Sequence, residues 1–461
     1  MNALIAEILN SNFEGVRAIL MQGVDVNFID DYGFTPLIEA AIVDDVAIAK
    51  SLIEFGANVG MQDMMGGTAL HWAAENNNLI LAKILLEHGA NPNAYTLAGQ
   101  PVMTMPYLRQ HTVMKDLLQK NGADLYFTQD FVNTKLLGHI FELVGIASLV
   151  DPHNRFIEVD FEGFFLEISV GLVRDSVSQF QNHFAARKLR RFSELAHIII
   201  QVLDNSARLV KYQQYRTQLS AHQAEVDNLI RQEPLVIPVG YEGHAITFIK
   251  LGQIFAKCDR REDSRLFDNI VFYQITQPMR CTPELIKELI YSRKTSEFVN
   301  RDLHHILGLQ PITELKIEAQ ISGNCSWANV EAVIPSVFFL LLLAGGKNTN
   351  DIARYKSLAL DFFKQWRKWN QERSLHFLIQ SFQHSDPLRN ASKAEILAAI
   401  LFQRCRYDQE SDKPRIESIM KILIRPEYAY LLQNYVKTFV YEGWGEEGKA
   451  FAALLKSYGL L

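Results

Sequence analysis

The stretch GFTPLIEAA, Gly33–Ala41, returns 33 residues later as GGTALHWAA, Gly66–Ala74. The same step carries Gly23-Val24 to Gly56-Ala57, Gly89-Ala90 and Gly122-Ala123, which are followed by Asp25, Asn58, Asn91 and Asp124. Gly33, Gly66 and Gly99 form a second ladder. A glycine just past a helix takes the left-handed conformation that a Cβ penalises. Thr35 and Thr68 are placed to cap the following helix by accepting a bond from its orphan amides. Leu37, Ala40 and Ala41, like Leu70, Ala73 and Ala74, supply a narrow apolar seam on which neighbouring units stack.

The 33-residue period and the T-P-L-H-x-A pattern resemble ankyrin repeats. The resemblance covers residues 1–126 as four units. The first lacks the T-P-L segment; the fourth reads GQPVMTMPY, with Pro101 where a cap is expected and Pro106 breaking the first helix, so both are read as terminal units. Such a stack implies a docking surface for a protein, because a solenoid this short has a concave face and hairpin tips and no enclosed pocket. Tyr32, Met64, Met65 and Tyr95 are expected at the tips as exposed apolar anchors for that partner. Packing on their own hairpins is the competing reading.

At 461 residues the chain has room for about two to four domains. Its 46 basic and 52 acidic residues give a net charge of -6, so the bulk electrostatics call for neither nucleic acid nor an anionic membrane. Cys258, Cys281, Cys325 and Cys405 are too scattered for a disulfide scaffold and include no zinc-type C-x-x-C pair. No cofactor or metal is expected. The N-terminus, MNALIAEILNSNFEG, lacks the basic head and cleavage site of a signal peptide. The most apolar window, Val333–Gly346, is short against a hydrocarbon layer of about 30 Å and is expected as a buried helix, with no membrane span.

Beyond the repeats, Phe156–Val170 alternates like a strand and residues 171–232 carry helical periodicity. Within the latter, Arg187, Lys188, Arg190 and Arg191 form a basic cluster, read as a solvated helix face ahead of a nuclear-import or inositol-phosphate site. Leu235–Val239, His244–Lys250 and Ile254–Asp259 read as three short strands, with KLGQ as a hairpin turn. Pairing about that turn would bring His244 beside Asp259. Downstream, Cys325 follows a Ser322-Gly323-Asn324 bend and precedes an apolar helix, with Gln320 five residues ahead. A free thiol, with an ordinary pKa of about 8.5, needs a base and a favourable field to act as a nucleophile. His244 supplies the base, Asp259 fixes its tautomer, and a helix N-terminus favours the thiolate. Gln320 and the Cys325 N–H would then donate to an oxyanion.

The order His244, Asp259, Gln320, Cys325 resembles the clan of cysteine proteases that includes the adenovirus protease, the Ulp-type deSUMOylases and effectors of the YopJ type. The clan often has an aromatic after the His and a glycine after the Cys; here Ala245 and Ser326 stand there. The resemblance implies an α+β chain: an ankyrin solenoid, a papain-like cysteine protease-like domain over 127–346 with the helical insertion near 171–232, and a helical region over 347–461. The whole arrangement also resembles the ankyrin-repeat effectors that Legionella delivers through its Dot/Icm type IV system. That implies secretion into a host cell, acting in the cytosol or the nucleus; the protein is expected as a monomer. The terminal EGWGEEGKAFAALLKSYGLL is compatible with a translocation signal and equally with an amphipathic helix.

The resemblance implies a thioester route to cleavage of a peptide or ubiquitin-like isopeptide bond. YopJ-like relatives transfer acetyl groups instead, and a silent interaction scaffold is the alternative from another class. A rival base, His376 or His384 with Asp386, would restore papain's order, but His376 sits mid-helix among Leu375, Phe377 and Leu378. The pair His304-His305 after Asp302 has no further ligands at zinc-like spacing.

Overall fold

A computed structural model describes residues 2–213, 221–261, 269–321, 323–346, 351–441 and 445–461. Two compact units emerge. The first is Met1–Thr134 with Ile146–Asp160 and Pro387–Ser392; the second is Lys135–Gly145 with Phe161–Asp386 and Lys393–Leu461.

The first unit stacks four helix pairs: Ala3–Leu9 with Phe13–Leu20, Pro36–Ile42 with Val46–Glu54, Ala69–Glu75 with Leu79–Glu87, and Thr104–Leu108 with Thr112–Lys120. Leu37, Ala40, Ala41, Leu70, Ala73 and Ala74 are all buried in its core. Gly23, Gly56, Gly89 and Gly122 have φ between 75° and 94°, the left-handed turn that closes each second helix. Two residues on, Asp25, Asn58, Asn91 and Asp124 each accept from the backbone N–H two residues ahead of them, at 2.8–2.9 Å. The Ile38 N–H donates to Thr35 Oγ1 at 3.2 Å, and the Thr68 N–H donates to His71 Nδ1 at 3.1 Å. Burial keeps His71 neutral, its pKa lowered to about 4.

Pro106 does not break its helix. The fourth repeat's first helix starts at Thr104, so the proline falls in the first turn, where its missing N–H costs no bond. A two-stranded antiparallel hairpin, β1 (Ile146–Val150) and β2 (Phe156–Asp160), completes the unit. The strand reading of Phe156–Val170 holds only to Asp160. Gly163 turns with φ +70, and Leu166–Asn182 is a helix whose Val170, Val173, Val177 and Phe180 fall at helical spacing on the buried side.

The second unit is built on a five-stranded antiparallel meander: β3 (Leu235–Tyr241), β4 (His244–Leu251), β5 (Ile254–Cys258), β6 (Ile270–Ile275) and β7 (Leu309–Leu315), paired in that order. The first three strands stand where the sequence puts them. Two-residue turns with positive φ at Glu242-Gly243 and Gly252 match the twist of their hairpins. On one face Leu235, Ile237, Val239 and Tyr241 share a core with Ile286, Leu289 and Ile290. The other face carries Phe272 and Cys258, which contact Phe339 and Ser336 of the apolar helix. That helix runs from Cys325 to Gly345, 21 residues that include an 18-residue stretch of mean hydropathy 1.9, so it is longer than its apolar window and long enough to cross a membrane by length and composition. Of that stretch 72% is buried inside the protein, as in a core helix.

Candidate functional site

β4 opens at His244, directly opposite Tyr241 across the tight β3–β4 turn. Thr247 pairs with Cys258. Continuing that register sets Asp259, just past β5, opposite Ile246 and one diagonal step from His244, still within reach on an antiparallel face. The two side chains meet: His244 Nε2 lies 3.2 Å from Asp259 Oδ1. Tyr241 presents its ring edge-on to the imidazole, with centroids 5.4 Å apart, and its hydroxyl accepts from Arg261 Nη2 at 3.1 Å. Arg261 also donates to both Asp259 oxygens, and Lys257 Nζ lies 3.4 Å from Oδ2. Burial works to raise the Asp259 pKa, but the bonds from His244 and Arg261 and the Lys257 charge hold it far below the usual carboxylate range.

Cys325 arrives from the far side of the sequence. Gly323 turns with φ +73 against Glu162, whose side chain a Cβ there would strike at 2.4 Å, and its carbonyl accepts from the Gly163 N–H at 3.1 Å. Ser322, the other half of the expected bend, lies outside the described residues. Cys325 is the first residue of its helix and is half-buried, its thiol facing the His244 imidazole and the Ala245 and Ser326 amides. With Nε2 engaged by Asp259, Nδ1 is the ring nitrogen left for the sulfur. Burial pushes the Cys325 pKa up, yet the His244 bond, the two amides and the imidazolium charge outweigh it and the net shift is downward. His244 moves the opposite way: burial lowers it, and Asp259 and Cys325 together raise it. The other three thiols are pushed up by burial, Cys258 and Cys405 to about 12.

Asn329, absent from the sequence reading, ties these parts together. Fully buried one turn beyond Cys325, its Nδ2 donates to the Ala245 carbonyl at 2.6 Å and to Gln320 Oε1 at 3.4 Å, and its Oδ1 accepts from the Arg260 N–H at 2.8 Å. Gln320 is fastened a second time by its own N–H, which donates to the Arg260 carbonyl at 2.8 Å. Beneath them the fully buried Arg260 guanidinium meets Glu142 at 2.9 Å, Glu331 at 3.5 Å and the Glu318 carbonyl at 2.8 Å. Arg367 closes the network on Glu142 and Glu318. The signal for Asn329 was a lone amide inside the run WANVEAVIP, a costly group to bury unless it is bonded.

The rival groups form no comparable set. His376 is exposed on the 30-residue helix Ile352–Ser381, and the His384 side chain lies outside the described residues. His304 packs against the Tyr273 ring, and among the described residues no group of three or more His, Cys, Asp or Glu is placed to hold a metal.

At the repeat tips Tyr32, Met64 and Met65 are each 65% exposed. Tyr95 is not a tip. By the 33-residue register it matches Gln62, and like Gln62 it makes a bridge across its hairpin, to Pro101, while its ring packs edge-on against Phe127. Leu97, 76% exposed, takes the place of Met64. Adjacent tips are stitched by the Met64 N–H to the Gly33 carbonyl and the Leu97 N–H to the Met65 carbonyl. Tyr95 instead lines a groove of about 610 Å³ with Gln62, Leu97, His153, Arg155 and Glu158.

A family model for ankyrin repeats matches residues 3–96, in three copies. The solved structure of the Legionella effector AnkH is similar over 100% of this chain and 98% of its own, at 35% identity and a TM-score of 0.83. No curated protein matches the chain.

Proposed function

The chain belongs to the family of the Legionella effector AnkH, and on that premise we propose that it is a secreted effector that docks a host protein on its ankyrin repeats and cleaves a peptide or isopeptide bond with Cys325. The observation that carries this reading is the convergence of one half-buried thiol, one imidazole and one carboxylate from three separated segments. Cys325 attacks the scissile carbonyl as the thiolate, and its own N–H and the Gln320 amide donate to the oxyanion. His244 passes its proton to the departing amine, leaving a thioester. It then takes a proton from water, which adds to the thioester carbonyl and expels the thiolate. Asp259 holds the ring in the tautomer this needs. Delivery by a type IV system and action in the host cytosol or nucleus belong to the same reading.

A ubiquitin or SUMO carrying a C-terminal electrophile tests it. The wild-type protein should be labelled by one of them, Cys325→Ala should not, and His244→Ala should react more slowly. Absence of labelling by both, or labelling that survives Cys325→Ala, overturns it. The exposure of Met64 and Met65 favours a scaffold as the second reading. Host-partner binding that survives Cys325→Ala and fails in Met64→Ser/Met65→Ser, together with unlabelled wild-type protein, selects the scaffold.

A further inference from the structure

The basic cluster at 187–191 has no part in the site above. It lies on a short 3-10 helix, Phe184–Phe192, pinned to the second unit by the buried Ala186 and Leu189. Arg187, Lys188, Arg190 and Arg191 all face solvent. Among the described residues none of the four has a carboxylate within ion-pair distance, whereas nearby Arg174 holds Asp175 and Asp204, and Arg208 holds Glu225. Phe184, 68% exposed, stands at the edge of the cluster with the Arg187 guanidinium 4.1 Å from its ring centroid; Arg191 covers Phe192 at 4.7 Å. The net charge of -6 is a property of the whole chain and does not describe this patch.

We propose that this segment is a landing surface for the anionic face of a lipid bilayer, with the four cations meeting the headgroups and Phe184 entering the interface. Unpaired cations beside an exposed ring on an anchored amphipathic turn are what such a surface requires. Their apolar stems lie along the interface while the charges reach the phosphates. A nuclear-import receptor reads basic residues on an extended segment, and here the two anchors hold the cluster helical. A single-stranded nucleic acid uses successive stacking rings, and Phe184 stands nearly alone.

Flotation of the full-length protein with phosphatidylcholine vesicles, with and without about 30% phosphatidylserine, tests the assignment. Binding is expected only with the anionic lipid, and raising the salt from about 0.1 to 0.5 M should release it. The variant Arg187→Glu/Lys188→Glu/Arg190→Glu should bind at least about a hundredfold more weakly, taking about a fivefold loss per cation, with an unchanged circular-dichroism melt. Phe184→Trp should retain binding and shift its emission to the blue on anionic vesicles. Equal binding to both vesicles, no binding to either, or full binding by the charge-reversed variant overturns the proposal. So does capture of a single-stranded RNA oligonucleotide through these cations without vesicle binding.

Discussion

The two units solve the problem of order differently. In the repeats the recurring supports are local or one step away: Thr35 caps its own helix, and Asn27 and Asn93 each stitch a turn to the next by donating to the Gly56 and Gly122 carbonyls. In the second unit the support is a hub. Asn329 and Arg260 connect the strand that carries His244, the segment that carries Gln320 and the helix that carries Cys325, across as many as 84 residues. A periodic structure spreads its stability over equivalent contacts, each repeat resting on its neighbours. A hub places geometry and stability on a few buried polar groups that must all be satisfied.

Arg260→Met is the hardest blow to this contrast. It leaves Glu142 and Glu331 buried without their central cation, and a loss of about 3–5 kcal/mol is expected in chemical denaturation followed by tryptophan fluorescence. A loss under about 1 kcal/mol, the size of a surface ion pair, would remove the hub from the comparison.

The repeats have one buried weak point of their own. Glu39, 5% exposed, has its pKa raised to about 7, first by burial and then by its bond to Asp30. The folded state therefore keeps a proton that the unfolded chain has lost above its ordinary 4.5, so the stability Glu39 contributes falls as pH rises from about 4.5 to 7, against His71, whose lowered pKa makes its own contribution rise with pH over much of that window. Glu39→Gln should remove the falling contribution, so that stability in melts recorded across the window rises more with pH than in wild type. An unchanged slope would show that the pair does not share a proton.

Alkylation by iodoacetamide sharpens the other side. Cys325 should react at pH values below those at which an ordinary thiol does, because its pKa is lowered, whereas burial raises Cys258, Cys281 and Cys405. The lowered thiol pKa and the raised His244 pKa move toward one another, which favours the thiolate–imidazolium pair relative to two neutral groups. His244→Ala should move the profile upward, slowing the reaction at neutral pH by about tenfold for each pKa unit. A profile identical to wild type would remove the imidazole from the pair. The smallest effect is expected at the tips: Met64→Ser/Met65→Ser should change stability by no more than about 0.5 kcal/mol while weakening partner binding.

Legibility followed the same divide. The glycine ladders, caps and alanine seam are visible in sequence because each satisfies a backbone or packing demand inside one 33-residue unit. Tyr95 has the residue type of a tip anchor, but register sets its place, and its equivalent Gln62 is a bridging position. The hairpin holding His244 and Asp259 was legible from alternation and a glycine turn. β6 and β7 were not, because they are brought together across 33 intervening residues that include helices.

By itself the sequence determined the repeat unit, its period and stacking residues, the β3–β5 strands, and which thiol follows a bend into an apolar helix. Only the tertiary structure decided that this thiol faces His244, that Asn329 and Arg260 anchor the site, and that the apolar helix is buried in a core. The physical reason is range: capping and turn preferences act over a few residues, whereas desolvation, charge pairing and buried hydrogen bonds depend on which distant segments close around a group.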